Sequence, residues 1–273
     1  MKVLLVIFAS IICVYIVLRI LAAVLNNRED ISDNNPYLNP DKADEILPDD
    51  MAEYAKNMPD SPDRDIGLYE KFFKRLIDSV ISFFGLLILS PVFLVLIVAI
   101  KIDDPGPVLF KQNRIGKDNE FFSLHKFRSM KMSTPHDMPT HMLKNPEQYI
   151  TRVGGFLRKS SLDELPQIWD IFRGKMSIIG PRPALWNQAD LVNEREKYGV
   201  NDLSPGLTGF AQINGRDELE IPEKVDFDRQ YIENISLWFD IKCFFGTVVS
   251  VAKSEGVVEG GTGEMARSEK VKK

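Results

Sequence analysis

Arg158-Lys159-Ser160-Ser161-Leu162-Asp163-Glu164-Leu165-Pro166-Gln167, followed shortly by Gly180-Pro181-Arg182-Pro183, sets two adjacent carboxylates between two sources of arginine. Leu162, Leu165, Ile168, Trp169 and Phe172 recur at helical spacing. That spacing predicts one buried helical face ending near Gly174, with Asp163 and Glu164 in its first turn.

The acidic pair has two readings. Ser161-x-x-Glu164 fits a capping box, and the helix dipole favours acids in a first turn whether or not they do chemistry. Pro166 sits better if Asp163 is the cap, because a proline deeper in the helix would break a bond. In the second reading, free N–H groups at the helix start and the guanidinium groups of Arg158 and Arg182 form a pocket for phosphate oxygens. The positive surroundings would keep Asp163 ionised and nucleophilic. Neighbouring side chains on a helix diverge by about 100°, so one can attack while the other moves a proton.

Four motifs occur in order: Lys126-Phe127-Arg128-Ser129-Met130, Leu157 to Gln167, Ser177-Ile178-Ile179-Gly180-Pro181-Arg182-Pro183, and Pro205-Gly206-Leu207-Thr208-Gly209. Together they resemble the bacterial sugar transferase family, the monotopic phosphoglycosyl transferases, from about Lys71 to Val251. The resemblance implies transfer of a sugar-1-phosphate from a UDP-sugar to polyprenyl (undecaprenyl) phosphate with release of UMP, as the membrane-committing first step of glycoconjugate or polysaccharide synthesis. It implies that Asp163 forms a covalent aspartyl phosphosugar intermediate and that Glu164 deprotonates or orients the lipid phosphate. It also implies Mg²⁺ near Asp163, and Arg158, Arg182 and Arg128 as binders of substrate phosphates. Expected partners are a UDP-sugar, polyprenyl phosphate and membrane lipids, with no nucleic acid; the oligomeric state is open, a homodimer included. Two other readings stand beside it. A glycosyl transferase would release UDP. A non-enzymatic membrane anchor of a polysaccharide assembly complex would leave the acidic pair without a purpose and tolerate Asp163→Asn.

The remaining sequence supplies the setting. The chain has 273 residues, 44% of them hydrophobic, and a net charge of −5, enough for one domain with additions and without a basic surface for nucleic acid. Twelve Asp or Glu against four Lys or Arg fall between Arg28 and Asp65, which predicts a solvated acidic linker with little core over residues 28–70. Cys13 and Cys243 suggest neither a metal site nor a disulfide framework. Val3 to Leu25 is nearly unbroken apolar sequence, long enough for an uncleaved membrane helix over residues 1–27.

A second apolar run covers residues 71–102, entered by Lys74-Arg75 and interrupted by Ser90-Pro91. A proline at the midpoint permits either a kinked spanning helix or a re-entrant one, and the pattern alone weights them equally. The family resemblance favours re-entry, with both ends on the cytoplasmic face of the bacterial inner membrane. Residues 103–254 are then the cytoplasmic catalytic domain, and 255–273 a disordered tail. Within that domain, apolar runs around Gly116-Lys117-Asp118-Asn119 predict a β-hairpin, Gly154-Gly155 a turn, and Ser133 to Gln148, with His136 and His141, a loop. The resemblance implies that Pro205 to Gly209 and Asn214-Gly215-Arg216, both turn-rich, help form the nucleotide side of the pocket. Aromatics between Val225 and Val251 suit either a bilayer headgroup layer or the domain's own core. The expected fold class is α+β and membrane-associated: an N-terminal membrane helix, a re-entrant kinked helix, and a small catalytic domain with a β-hairpin and amphipathic interfacial helices.

Overall fold

The computed structural model describes residues 35–39, 42–134, 146–215 and 219–253. The expected N-terminal membrane helix, the tail, Cys13, His136, His141 and Arg216 lie outside the described residues. The described part of the acidic stretch corrects the expectation of a solvated linker with little core. Its helices α1 (Ala43–Ile46) and α2 (Asp49–Lys56) keep their acids outside and bury Ala43, Leu47, Ala52 and Ala55 in one cluster with Ile115, Ala184 and Val192. Small apolar residues three or four apart make a core-facing stripe that a charge count hides. The Tyr37 hydroxyl adds a bond to the Trp186 carbonyl at 2.9 Å.

A π-helical turn, Tyr69–Phe73, leads into α3 (Lys74–Asp103), about 45 Å long at 1.5 Å per residue. Together they are long and apolar enough to cross a membrane. Asp78, Ser82, Leu86, Ser90, Phe93, Leu96 and Ile100 are buried along α3, whereas Phe84, Ile88, Val95 and Ile102 are exposed. Burial every three or four residues means that one face lies on the domain from end to end. Pro91 stays inside the helix. Its missing N–H leaves the Leu87 carbonyl without its usual donor, and the Ser90 hydroxyl donates there at 2.8 Å.

Polar side chains at the start of α3 bolt it to the domain. Asp78 accepts from the Ser177 hydroxyl at 2.7 Å and the Ile178 N–H at 3.0 Å. Lys74 pairs with Asp240 at 2.6 Å, and Arg75 donates to the carbonyls of Ile171 and Phe172 at 2.6 and 2.8 Å.

The hairpin forms as the sequence predicts, β1 (Leu109–Ile115) antiparallel to β2 (Phe121–Phe127), with Leu109 opposite Phe127 and positive φ at Asp118 and Asn119 in the turn. Gly154-Gly155 corrects another expectation. Both lie in the helix α4 (Arg152–Lys159), capped by Thr151 Oγ1 on the Gly154 N–H. A Cβ on Gly154 would stand 1.9 Å from the Ser129 carbonyl oxygen, so glycine serves close approach rather than a turn.

After a 3₁₀ turn comes α5 (Gln167–Arg173), ended by Gly174 at φ 83°. A short parallel pair, β3 (Ser177–Ile179) with β4 (Gly206–Thr208), was not anticipated. The remaining helices are α6 (Ala189–Glu196), α7 (Phe210–Ile213), α8 (Ile221–Glu233) and α9 (Leu237–Lys253). The C-terminal aromatics divide between both readings. Tyr231 is buried and Phe227 and Phe239 pack on Phe210, while Trp238, Phe245, Val248 and Val249 of α9 face outward.

Candidate functional site

Pro166 has no N–H for the Leu162 carbonyl, so the chain enters α5 through the 3₁₀ turn Leu162–Glu164, in which the Leu165 N–H takes that carbonyl at 3.3 Å. Asp163 and Glu164 therefore precede α5 instead of occupying its first turn. Neither expected cap forms: Ser161 sits at φ 55° without a side-chain cap bond, and α5 starts from Pro166. In a three-residue turn the two carboxylates diverge by about 120°. They still face different partners.

Glu164 meets two cations. Lys126 Nζ lies 2.9 Å from its Oε1, and an Arg182 Nη lies 3.5 Å from the same oxygen. Burial alone would raise the Glu164 carboxyl, but Lys126, Arg182 and Arg114 outweigh it and pull it down to about 2. Asp163 goes the other way. Burial pushes it up to about 6, reinforced by the Glu164 charge and only partly opposed by Lys126 and Arg158. The cations act chiefly on its neighbour, while Asp163, at about 6, still loses its proton at neutral pH.

Two side chains keep this geometry. His125 places its N–H 3.0 Å and its Nδ1 2.7 Å from the Asp170 carboxylate, which pins β2 to α5 and so brings Lys126 to Glu164. Arg158 donates from Nε to Ser129 Oγ at 2.8 Å, turning its charge toward Asp163.

Arg128 is placed differently from expectation. It is buried with one Nη 3.1 Å from Asp104 Oδ2 and the other on the Asp104 carbonyl, closing the end of α3 rather than joining the pair. Lys126, two residues earlier in the same motif, takes the place that sequence reading gave to Arg128. β2 ends at Phe127, and although the Arg128 N–H still donates to the Val108 carbonyl at 2.8 Å, its side chain goes to Asp104, which no sequence pattern signals. Ser90, Pro91, Lys74 and Arg75 lie along α3, and Arg75 touches the last turn of α5 rather than the carboxylates.

Among the described residues no three His, Cys, Asp or Glu side chains are gathered to hold a metal ion. Asp163 offers a single carboxylate. That donor set suits Mg²⁺ bound mostly by substrate phosphates and water, a usual arrangement for this ion.

A family model described as bacterial sugar transferase matches residues 69–254. The UDP-glucose:undecaprenyl-phosphate glucose-1-phosphate transferase of Escherichia coli K12 is 43% identical over 185 residues, 65% of this chain and 40% of that protein. The exopolysaccharide production protein ExoY of Rhizobium meliloti is 36% identical over 197 residues, 67% of this chain and 87% of that protein. The undecaprenyl-phosphate galactose phosphotransferase of Salmonella typhimurium is 33% identical over 200 residues, 68% of this chain and 42% of that protein. The chain thus spans about two fifths of the length of the first and third of these relatives.

Proposed function

The chain belongs to the bacterial sugar transferase family, and from that premise we propose that it moves a sugar-1-phosphate from a UDP-sugar to a polyprenyl phosphate and releases UMP. The relatives' names carry glucose and galactose, which supports a UDP-hexose donor. The observation that carries the reading is the acidic pair set beside its cations, Glu164 Oε1 2.9 Å from Lys126 and 3.5 Å from Arg182, surroundings that push Asp163 up and Glu164 down. Environments that push two adjacent acids apart assign them different work.

Asp163 is ionised at neutral pH and poorly solvated, which suits a nucleophile. One of its oxygens attacks the phosphorus that bears the sugar, and the P–O bond to UMP breaks. An oxygen of the lipid phosphate then attacks the same phosphorus and frees Asp163. Held low by Lys126 and Arg182, Glu164 suits orienting the lipid phosphate better than taking its proton. Its work in this account is to hold Lys126 and Arg182 where phosphate oxygens arrive. Arg158 receives another of those oxygens. A bound Mg²⁺ would neutralise diphosphate charge, with Asp163 as its protein ligand.

A membrane placement is supported by the fastening of α3. Its start is bonded to β3 and α9, and at its end Asp103 accepts from the Val153 N–H at 2.8 Å while Asp104 holds Arg128. Were α3 to cross a hydrocarbon core of ~30 Å, the polar domain fastened along it would be drawn in as well. This supports a re-entrant helix whose outward face, with that of α9, enters one leaflet of the bacterial inner membrane from the cytoplasmic side. Both substrates then meet at the interface. The described residues 35–39 and 42–58 pack onto the domain.

Product analysis tests the proposal. Purified protein given UDP-glucose or UDP-galactose, undecaprenyl phosphate and Mg²⁺ should release UMP and form a lipid diphosphate sugar. Release of UDP would identify a glycosyl transferase instead. Full function of Asp163→Asn in cells would favour the anchor.

A further inference from the structure

The loop that carries Arg182 has all four of its successive carbonyls held. Pro181 accepts from the Gly206 N–H at 2.8 Å, Arg182 from Arg195 at 2.9 Å, Pro183 from Arg114 at 2.9 Å, and Ala184 from the Ile115 N–H at 3.0 Å. Two prolines leave this loop short of donors of its own, so its shape depends on what is brought to it. Three of the four donors come from strands or a strand edge. The fourth, Arg195, comes from α6 and is held by something else.

Arg195 gives its Nε and one Nη to Asp228 Oδ2 on α8 at 3.0 and 2.6 Å, and its other Nη to the Arg182 carbonyl. The pair is almost wholly buried, with side-chain exposures of 5% and 1%. Apolar residues can often replace a buried ion pair without loss of stability. Stability alone therefore gives a weak account of a pair whose remaining donor is aimed at the residue that meets Glu164. The guanidinium serves both partners at once through donors fixed in a planar fork.

We propose that Arg195 is a positioning residue for the transfer reaction: oriented by Asp228, it fixes the Arg182 backbone and so sets where the Arg182 guanidinium stands beside Glu164 and the incoming phosphate. It touches no reacting atom. The inference rests on the phosphoglycosyl transferase reading of the site.

The test is a double-mutant cycle on the full chain, read as the rate of UMP release and as thermal unfolding. Arg195→Lys keeps a cation for Asp228 but cannot also reach the Arg182 carbonyl. It should lower kcat about 10- to 100-fold, the scale set by small misplacements of a binding group, while the melting temperature changes little. In an Arg182→Ala background the same replacement should cost less than about twofold, because its effect runs through Arg182. Equal losses in both backgrounds, or an unchanged rate for Arg195→Lys alone, would overturn the proposal. Should Arg195→Lys not fold, Arg195→Met with Asp228→Asn removes both buried charges and carries the same comparison. A wild-type protein that releases no UMP overturns the reading of the site, and this inference with it.

Discussion

Asp163 and Glu164 are adjacent, yet burial decides the charge state of one and neighbouring cations that of the other. The sign of each shift gives a prediction. Asp163 is raised from an ordinary 3.8 to about 6, so folding disfavours its ionised form, and stability is lost as pH rises through that window and regained on acidification. Asp163→Asn should therefore melt higher than wild type at pH 8, by roughly 2–4 °C for each kcal/mol recovered, while abolishing UMP release. A lower melting temperature would contradict the desolvation account. With Asp163 as the proposed nucleophile, wild-type turnover should fall about tenfold per pH unit once pH drops below its titration, and Mg²⁺ bound at that carboxylate would move the break below the metal-free value of about 6. Lys126 is the closest cation to Glu164. Lys126→Met should raise the Glu164 pKa, visible by carboxylate NMR, and cost about 100-fold in rate, the size of a lost electrostatic contact in a transition state. Unchanged turnover would return the site to the arginines alone. Sequence reading found the pair and Arg182 because both sit in compact motifs. It missed the division between Lys126 and Arg128, because that turns on Arg128 reaching Asp104, which no sequence pattern signals.

Elements with strong periodicity were the most legible. The hairpin around Gly116 follows from turn residues and forms, and the apolar residues Leu162 to Phe172 share one cluster as their spacing predicts, although only Gln167–Arg173 is α-helical. The 3₁₀ turn before α5 was hidden, since it depends on a missing N–H at Pro166 and a left-handed Ser161. The two glycines of α4 were misread for a related reason: Gly-Gly signals a turn locally, whereas here one glycine answers to a distant backbone. Gly154→Ala forces a methyl group into the Ser129 carbonyl, and Ser129 holds Arg158. It should lower both the melting temperature and the rate. A Cβ on Gly155 would meet only Ile150 Cγ2, at an ordinary 3.9 Å, so Gly155→Ala should gain about 0.5–1 kcal/mol of helix stability. Equal effects at the two positions, seen in parallel melts, would show that the close approach of α4 to Ser129 is not what the glycine serves.

At the scale of the whole molecule, the domain is assembled on α3, and the acidic N-terminal stretch closes its far side over Ala184 and Val192. Deleting residues 35–58 uncovers that cluster and the Trp186 carbonyl contact, so the truncated protein should melt several degrees lower with altered tryptophan fluorescence. A melt identical to wild type would return this stretch to the status of a linker. Under the proposed function, a fold fastened to α3 along one face would keep the acidic pair at the interface between a soluble nucleotide and a lipid, where a two-step transfer needs it. The most direct test of that transfer is the intact mass of the protein after incubation with UDP-sugars and Mg²⁺ without lipid acceptor. A phosphosugar adduct on wild type that is absent from Asp163→Asn is the predicted result, and it also identifies the sugar. Turnover with a competent UDP-sugar but no trapped adduct, or an adduct that persists in Asp163→Asn, would contradict the assignment of Asp163 as nucleophile.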